Sequence, residues 1–206
     1  MKYRKIKISS KDAPKRFYRL LYVREDLNLF QLGVTILMAF DCRFMHNFLF
    51  TDKKNEYVDK MWIEEYPIES PFDNGNSNYK DYENCILSDL ILTAENKFKM
   101  CYDTGDNWEF EIKLYKAEKE FDDDSFGKLI EGAGGSIWED NHYLFWKYLE
   151  NGSEAISDED KDFLLERLNI RVDDFDKPIN VGSINDELES AEELCEHLLE
   201  MRDMYL

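Results

Sequence analysis

Hydrophobic periodicity divides the chain into a strand-rich first part and a helical last third. Residues 3–9 and 17–23 read as two strands joined by Ser10-Lys11-Asp12-Ala13-Pro14-Lys15, where Pro and Asp favour a turn. In the second strand Phe17, Arg19, Leu21 and Val23 lie opposite Tyr18, Leu20 and Tyr22. Neither face is purely polar, which predicts a central strand. Asn28 then has the chemistry of a helix N-cap, with Gln31 three residues on and Leu27 as a staple. The predicted helix runs from 28 to 40. Its Leu29, Phe30, Leu32, Ile36, Leu37 and Phe40 wrap more than one face, as a buried central helix requires.

Residues 45–50 read as a third strand and 57–63 as a fourth. The run Asp73-Asn74-Gly75-Asn76-Ser77-Asn78 reads as a loop. It is no calcium loop, because Gly is missing at its sixth position and Glu at its twelfth. Residues 86–92 form a short helix at best. Phe98, Met100 and Tyr102 alternate with polar residues, and after a turn Trp108, Phe110, Ile112 and Leu114 alternate with Glu109, Glu111 and Lys113. This is a hairpin with one buried face. Three acidic helices close the chain: 139–150; 157–168, capped by Ser157; and 184–201, capped by Ser183 with Asp186 reciprocating. The fold class predicted is α+β, a mixed, mostly antiparallel sheet with a buried central helix. Residues 1–150 make the expected core domain and 151–206 an acidic helical appendage.

Composition changes this picture little, but charge does. The chain has 206 residues and needs no disulfide or metal to fold at that size. Its formal net charge is −19, with 45 acidic and 26 basic side chains. Residues 1–24 nevertheless carry +8, leaving −27 on the rest. A field this negative repels nucleic acid at long range and permits a basic protein partner. The cations Lys2, Arg4, Lys5, Lys7, Lys15 and Arg16 are expected to offset the protein's own acids rather than to contact nucleic acid. No stretch is apolar enough to span a membrane. The basic N-terminus lacks the apolar core of a signal peptide, which points to the cytoplasm. Cys42, Cys85, Cys101 and Cys195 form no C-x-x-C pair and read as reduced core residues, so the sequon at Asn151 is a chance match.

Candidate chemistry is sparse. The three histidines are His46, His142 and His197, the last on the polar side of an acidic helix. No G-x-S-x-G, Walker loop or H-E-x-x-H occurs. Gly132-Ala133-Gly134-Gly135 reads as a plain turn and Asp122-Asp123-Asp124 as a solvated loop. No cofactor is expected, and no metal, because Cys and His are not at ligand spacing along the chain. The most distinctive local feature is the turn Tyr102-Asp103-Thr104-Gly105-Asp106-Asn107-Trp108.

That turn resembles the hallmark hairpin of the plasmid pRiA4b ORF-3-like family, roughly Y-D-F-G-D-x-W-x-H-x-I. Thr104 stands here for the Phe and Phe110 for the His. The order of other features is similar: Pro14, then Phe17-Tyr18-Arg19, a helix ending at Ala39-Phe40-Asp41, then Phe44-Met45-His46-Asn47-Phe48, where the family has H-x-H-x-F. Leu87-Ser88-Asp89-Leu90 and the stretch from Trp138 to Leu149 continue it, so the resemblance covers about residues 3–150. The family's C-P-P-E-D-C-G-G loop is reduced to Ala133-Gly134-Gly135, and a metal or redox role for that cysteine pair has no residues to rest on. The resemblance implies an α+β fold. It selects His46, Tyr102, Asp103, Asp106 and Trp108 as candidate binding residues. Two functional classes stay open: a non-catalytic protein whose acidic surface engages a basic partner, such as a nucleic-acid-binding protein it inhibits, and an enzyme using His46 with Asp103 and Asp106.

Overall fold

A computed structural model describes residues 1–61, 78–93 and 97–204, with the backbone alone at 91–93. Eight strands form one sheet: β1 (Lys2–Ser10), β2 (Tyr18–Arg24), β3 (Phe48–Thr51), β4 (Asn55–Val58), β5 (Asn78–Asp81), β6 (Lys97–Tyr102), β7 (Trp108–Glu120) and β8 (Gly127–Ala133). Their spatial order is β5-β4-β3-β6-β7-β1-β2-β8. All pairings are antiparallel except β4 with β5, so the sheet is mixed as expected. β2 lies between β1 and β8, which accounts for its two apolar faces. Residues 73–77 of the predicted loop fall outside the described residues, while its last residue, Asn78, begins β5. Of the strand predicted over 57–63, only Tyr57 and Val58 are strand, in β4, and residues 62–63 fall outside the described residues.

Helix α1 spans Leu29–Ala39, and its capping box is formed as predicted. Asn28 Oδ1 accepts from Gln31 N at 2.8 Å, and Asn28 N donates to Gln31 Oε1 at 3.0 Å. Every helical residue except Gln31 is buried. The remaining helices are α2 (Leu87–Thr93), α3 (His142–Asn151), α4 (Asp158–Leu168), α5 (Val181–Leu188) and α6 (Ala191–Met204). α5 and α6 cover the face of α1 that the sheet leaves free. Ser157 caps α4, accepting from Asp160 N at 3.1 Å.

Two expectations need correction. The single helix predicted over 184–201 is two helices. Asn180 caps the first by accepting from Ser183 N at 3.1 Å, so Ser183 lies inside the helix and is not its cap. The Gly132–Gly135 turn is in part a strand. Gly132 and Ala133 pair with Arg19 and Tyr18 as the end of β8, which the periodicity did not reveal. α5 covers this edge strand: Asn185 Oδ1 accepts from Leu129 N at 2.7 Å and its Nδ2 donates to Leu129 O at 3.1 Å. Pairing an exposed edge in this way removes a template for aggregation.

The hydrophobic core is continuous past residue 150. Leu164, Ile170, Val172, Phe175, Leu188, Ala191 and Cys195 belong to the same buried cluster as Phe17, Phe40 and Phe110. Phe175 packs against the rings of Phe17, Trp138, Phe145 and Tyr148. Arg202, near the end of α6, reaches Asp59 at 3.2 Å and also pairs with Glu83. All four cysteines are free. No described helix is long and apolar enough to cross a membrane.

Candidate functional site

Three loops meet at one end of the sheet. The first, 41–47, follows α1 and takes up left-handed backbone at Asp41 (φ 50) and Phe44 (φ 57). The second is the hairpin turn between β6 and β7. Tyr102 and Trp108 face each other across the hairpin and are buried. Asp103 (φ 53) and Asn107 (φ 58) are left-handed, and Asn107 N donates to Asp103 O at 2.6 Å. The Asp103 side chain shapes the turn through Oδ1, which accepts from Gly105 N at 3.0 Å and Asp106 N at 3.2 Å. This is the local role that Asp commonly plays in turns. The third loop, 136–141, precedes α3. Main-chain bonds hold the three together: Asp103 N donates to Asn47 O, and Ile137 N to Phe40 O.

Glu139 is the hub beneath the junction. It is 1% exposed, and its Oε1 accepts from Tyr102 Oη at 2.8 Å, Cys42 Sγ at 2.7 Å and Arg43 N at 2.7 Å. Its Oε2 is buried without a hydrogen-bond partner among the described residues. Burial pushes the Tyr102 hydroxyl and the Cys42 thiol well above their ordinary pKa values, with added repulsion from Glu139 at both. Both groups therefore stay protonated donors at neutral pH. Tyr102 Oη also accepts from His46 N at 3.3 Å, which fixes the 44–46 turn over the hub.

Above the hub the His46 ring meets two carboxylates. Its Nε2 lies 3.0 Å from Asp140 Oδ1 and 3.5 Å from Asp103 Oδ2. Asp103 is buried, Asp140 exposed and His46 between the two. The predicted residues thus divide. His46, Tyr102 and Asp103 come together. Asp106 turns the other way: its Oδ2 accepts from His142 N at 3.0 Å and its carbonyl faces His142 Nδ1 at 2.6 Å. Trp108 lies against the same His142 ring, with centroids 4.3 Å apart, and His142 Nε2 faces Asp12 Oδ2 at 2.9 Å. Asp106 and Trp108 therefore lock the start of α3 to the hairpin and are not part of the His46 group. The sequence reading missed Glu139 and Asp140. Their only signal was their place just after Trp138, in a chain where carboxylates are too common to stand out.

The model of the plasmid pRiA4b ORF-3-like protein family matches residues 2–179. The chain belongs to this family. The match reaches beyond residue 150, into the turn that carries Phe175. Among solved structures, the chain is similar to a protein of unknown function from Methanosarcina mazei Go1, with a TM-score of 0.65 and 20% identity. The alignment covers 89% of this chain and 96% of that one. At this identity the likeness carries the fold alone. No match was found among curated proteins.

Proposed function

We propose that this protein is a non-catalytic binding protein whose acidic surface engages a basic protein partner. The observation that carries this reading is a groove of about 340 Å³ between the 123–128 segment and the α5–α6 corner, lined by Asp123, Asp124, Glu189 and Glu192. Asp124, Glu189 and Glu192 are exposed. Among the described residues the one cation lining the groove, Lys128, is paired with Asp123. A volume of this size accepts Lys or Arg side chains, and the carboxylates supply their counter-charges.

The N-terminal cations support the same reading, because the protein's own acids occupy several of them. Lys2 and Arg4 both pair with Glu25 and Glu118. Lys11 pairs with Glu109, Arg16 with Asp176 and Arg24 with Asp26. Lys7 lies over the Tyr18 ring at 4.3 Å. The sharp form of the proposal is an acidic inhibitor that occupies the nucleic-acid-binding face of its target.

The test is affinity capture from the native host with the wild-type protein and an Asp124→Lys, Glu189→Lys, Glu192→Lys variant. A basic protein held only by the wild type, and whose nucleic-acid binding the wild type suppresses, is the expected result. Equal capture by both proteins would remove the groove from the reading. A second reading, an enzyme built on His46, is favoured by the His46–Asp103–Asp140 convergence, with Asp140 in the place expected for Asp106.

A further inference from the structure

We propose that His46, Asp103 and Asp140 form a binding site for a divalent first-row transition-metal ion. The inference is independent of the acidic groove and its partner.

The first ground is donor geometry. One ligand atom from each residue, an imidazole nitrogen and two carboxylate oxygens, lies within 4.8 Å of the others. The imidazole nitrogen is 3.0 Å from one oxygen and 3.5 Å from the other. Ligands about 2.1 Å from a shared ion stand about 3.0 Å apart at octahedral angles and about 3.4 Å apart at tetrahedral ones. Both distances on His46 lie close to such edges, so small side-chain adjustments would bring the three donors onto one ion. The donors come from positions 46, 103 and 140, so no spacing rule along the chain could have found them.

The second ground is charge that donors answer on one oxygen of each carboxylate only, three at Glu139 Oε1 and two at Asp103 Oδ1. Asp103 and Glu139 are both buried, at 6% and 1% exposure. Among the described residues neither has a Lys or Arg within ion-pairing distance; Asp103 pairs only with His46, and Glu139 Oε2 has no hydrogen-bond partner. Burying carboxylates costs free energy unless a cation or several donors answer them. Asp103 Oδ1 is answered by two backbone N–H groups, which leaves Oδ2 on the His46 side as the free ligand. A divalent ion at the triad would supply the missing positive charge.

The third ground is the supporting shell. The 3.3 Å bond from His46 N to Tyr102 Oη, and the Tyr102–Glu139 bond below it, hold the His46 backbone through a network whose last member adjoins Asp140. Metal centres rely on outer contacts of this kind to orient their ligands. Asp140 is exposed and His46 half-buried, so one side of the ion would stay open to water or a further ligand. One nitrogen with two hard oxygens suits zinc or manganese better than calcium or magnesium.

The test uses the full chain, stripped with a chelator and titrated calorimetrically with zinc chloride and with manganese chloride. Saturation at one ion per chain is expected. His46→Ala and Asp140→Asn should each weaken affinity by at least about 10-fold, the lower bound seen even for outer partners of metal ligands. Asp140 is exposed and among the described residues its side chain pairs only with His46, so Asp140→Asn stays informative if Asp103→Asn fails to fold. Absence of saturable binding overturns the proposal. Binding that both variants leave unchanged overturns it too, since it would reside on surface acids elsewhere.

Discussion

Arg19 sits in the core, and among the described residues no carboxylate lies within ion-pairing distance of it. It is 1% exposed, and four main-chain carbonyls surround its guanidinium. Nε donates to Ala39 O at 2.6 Å, Nη1 to Tyr18 O at 3.0 Å and Ala133 O at 2.8 Å, and Nη2 to Gly135 O at 2.8 Å. The Phe40 ring lies 4.5 Å away. Burial lowers the guanidinium pKa to about 9, so it remains charged at neutral pH. One side chain thus ties the C-terminal end of α1, whose carbonyls carry partial negative charge, to β8 and the segment after it. Arg19→Met would leave those carbonyls buried and unanswered, and should cost at least about 1–3 kcal/mol, the penalty for a single buried acceptor left unsatisfied. Arg19→Lys should recover only part of this, because an ammonium cannot span four acceptors. Urea unfolding of the three proteins measures both effects, and a loss under about 1 kcal/mol for Arg19→Met would contradict this account. The alternation put Arg19 on the same face of its strand as Phe17, Leu21 and Val23, but it did not say which of the two faces is buried. The candidate site was legible to the same partial degree. The family resemblance pointed to His46, Tyr102 and Asp103 together with Asp106 and Trp108, which lie elsewhere, whereas Glu139 and Asp140 owe their roles to contacts between loops distant in sequence.

Elements with a strong local cause were readable: α1 from its capping box, the β6–β7 hairpin from its alternation, and α4 from Ser157. β8 was not. It has only Leu129 as a large buried apolar side chain, and it ends in two small residues. It is a strand because β2 pairs with it and α5 covers it, and both causes are remote in sequence. Gly134, just past it, has φ +78, and a Cβ there would stand 2.6 Å from Arg16 O. Gly134→Ala should therefore destabilise, through the backbone conformation and the clash together. The C-terminal third raises the same issue at larger scale. The helices after 151 looked separable because their composition is so acidic, yet Phe175 and Leu164 are 2% and 0% exposed within the common cluster. Phe175→Ala should cost about 3–5 kcal/mol, the usual range for emptying a buried aromatic site. Truncation after Asn151 uncovers one face of α1 and the edge of β8, and the expected product lacks a cooperative thermal transition. A sharp, reversible melt for that fragment would instead establish 151–206 as an appendage.

On the scale of the whole molecule the dominant fact is a charge of −19 that the fold arranges rather than cancels. The N-terminal hairpin is basic, and the acids that meet it come from distant parts of the chain: Glu118 from β7, Asp176 from the turn before α5. Such pairs tie sequence-remote segments together, and their contribution depends on pH in a direction the carboxylates set. Asp176 accepts from Arg16 and from Tyr148 Oη at 2.7 Å, and its pKa lies below the ordinary 3.8, chiefly through the Arg16 hydrogen bond. A group whose folded-state pKa is depressed stabilises the fold at every pH above its unfolded value, and loses that contribution as pH falls through the lower, folded one. The stabilisation is thus complete at neutral pH and disappears on the acid side of 3.8. Because the pair is half exposed, its size should be only about 0.5–1 kcal/mol. Asp176→Asn should therefore lower the urea midpoint modestly at pH 7. The gap from wild type should narrow as the series descends through pH 4 toward 3, and it should shrink at neutral pH in about 1 M salt, where the Debye length is about 3 Å. A gap that stays constant with both pH and salt would mean that Asp176 acts through neutral hydrogen bonding to Tyr148 alone. Arg16 would then be free to contribute to an external contact, and the nucleic-acid reading of the hairpin would regain its strongest cation.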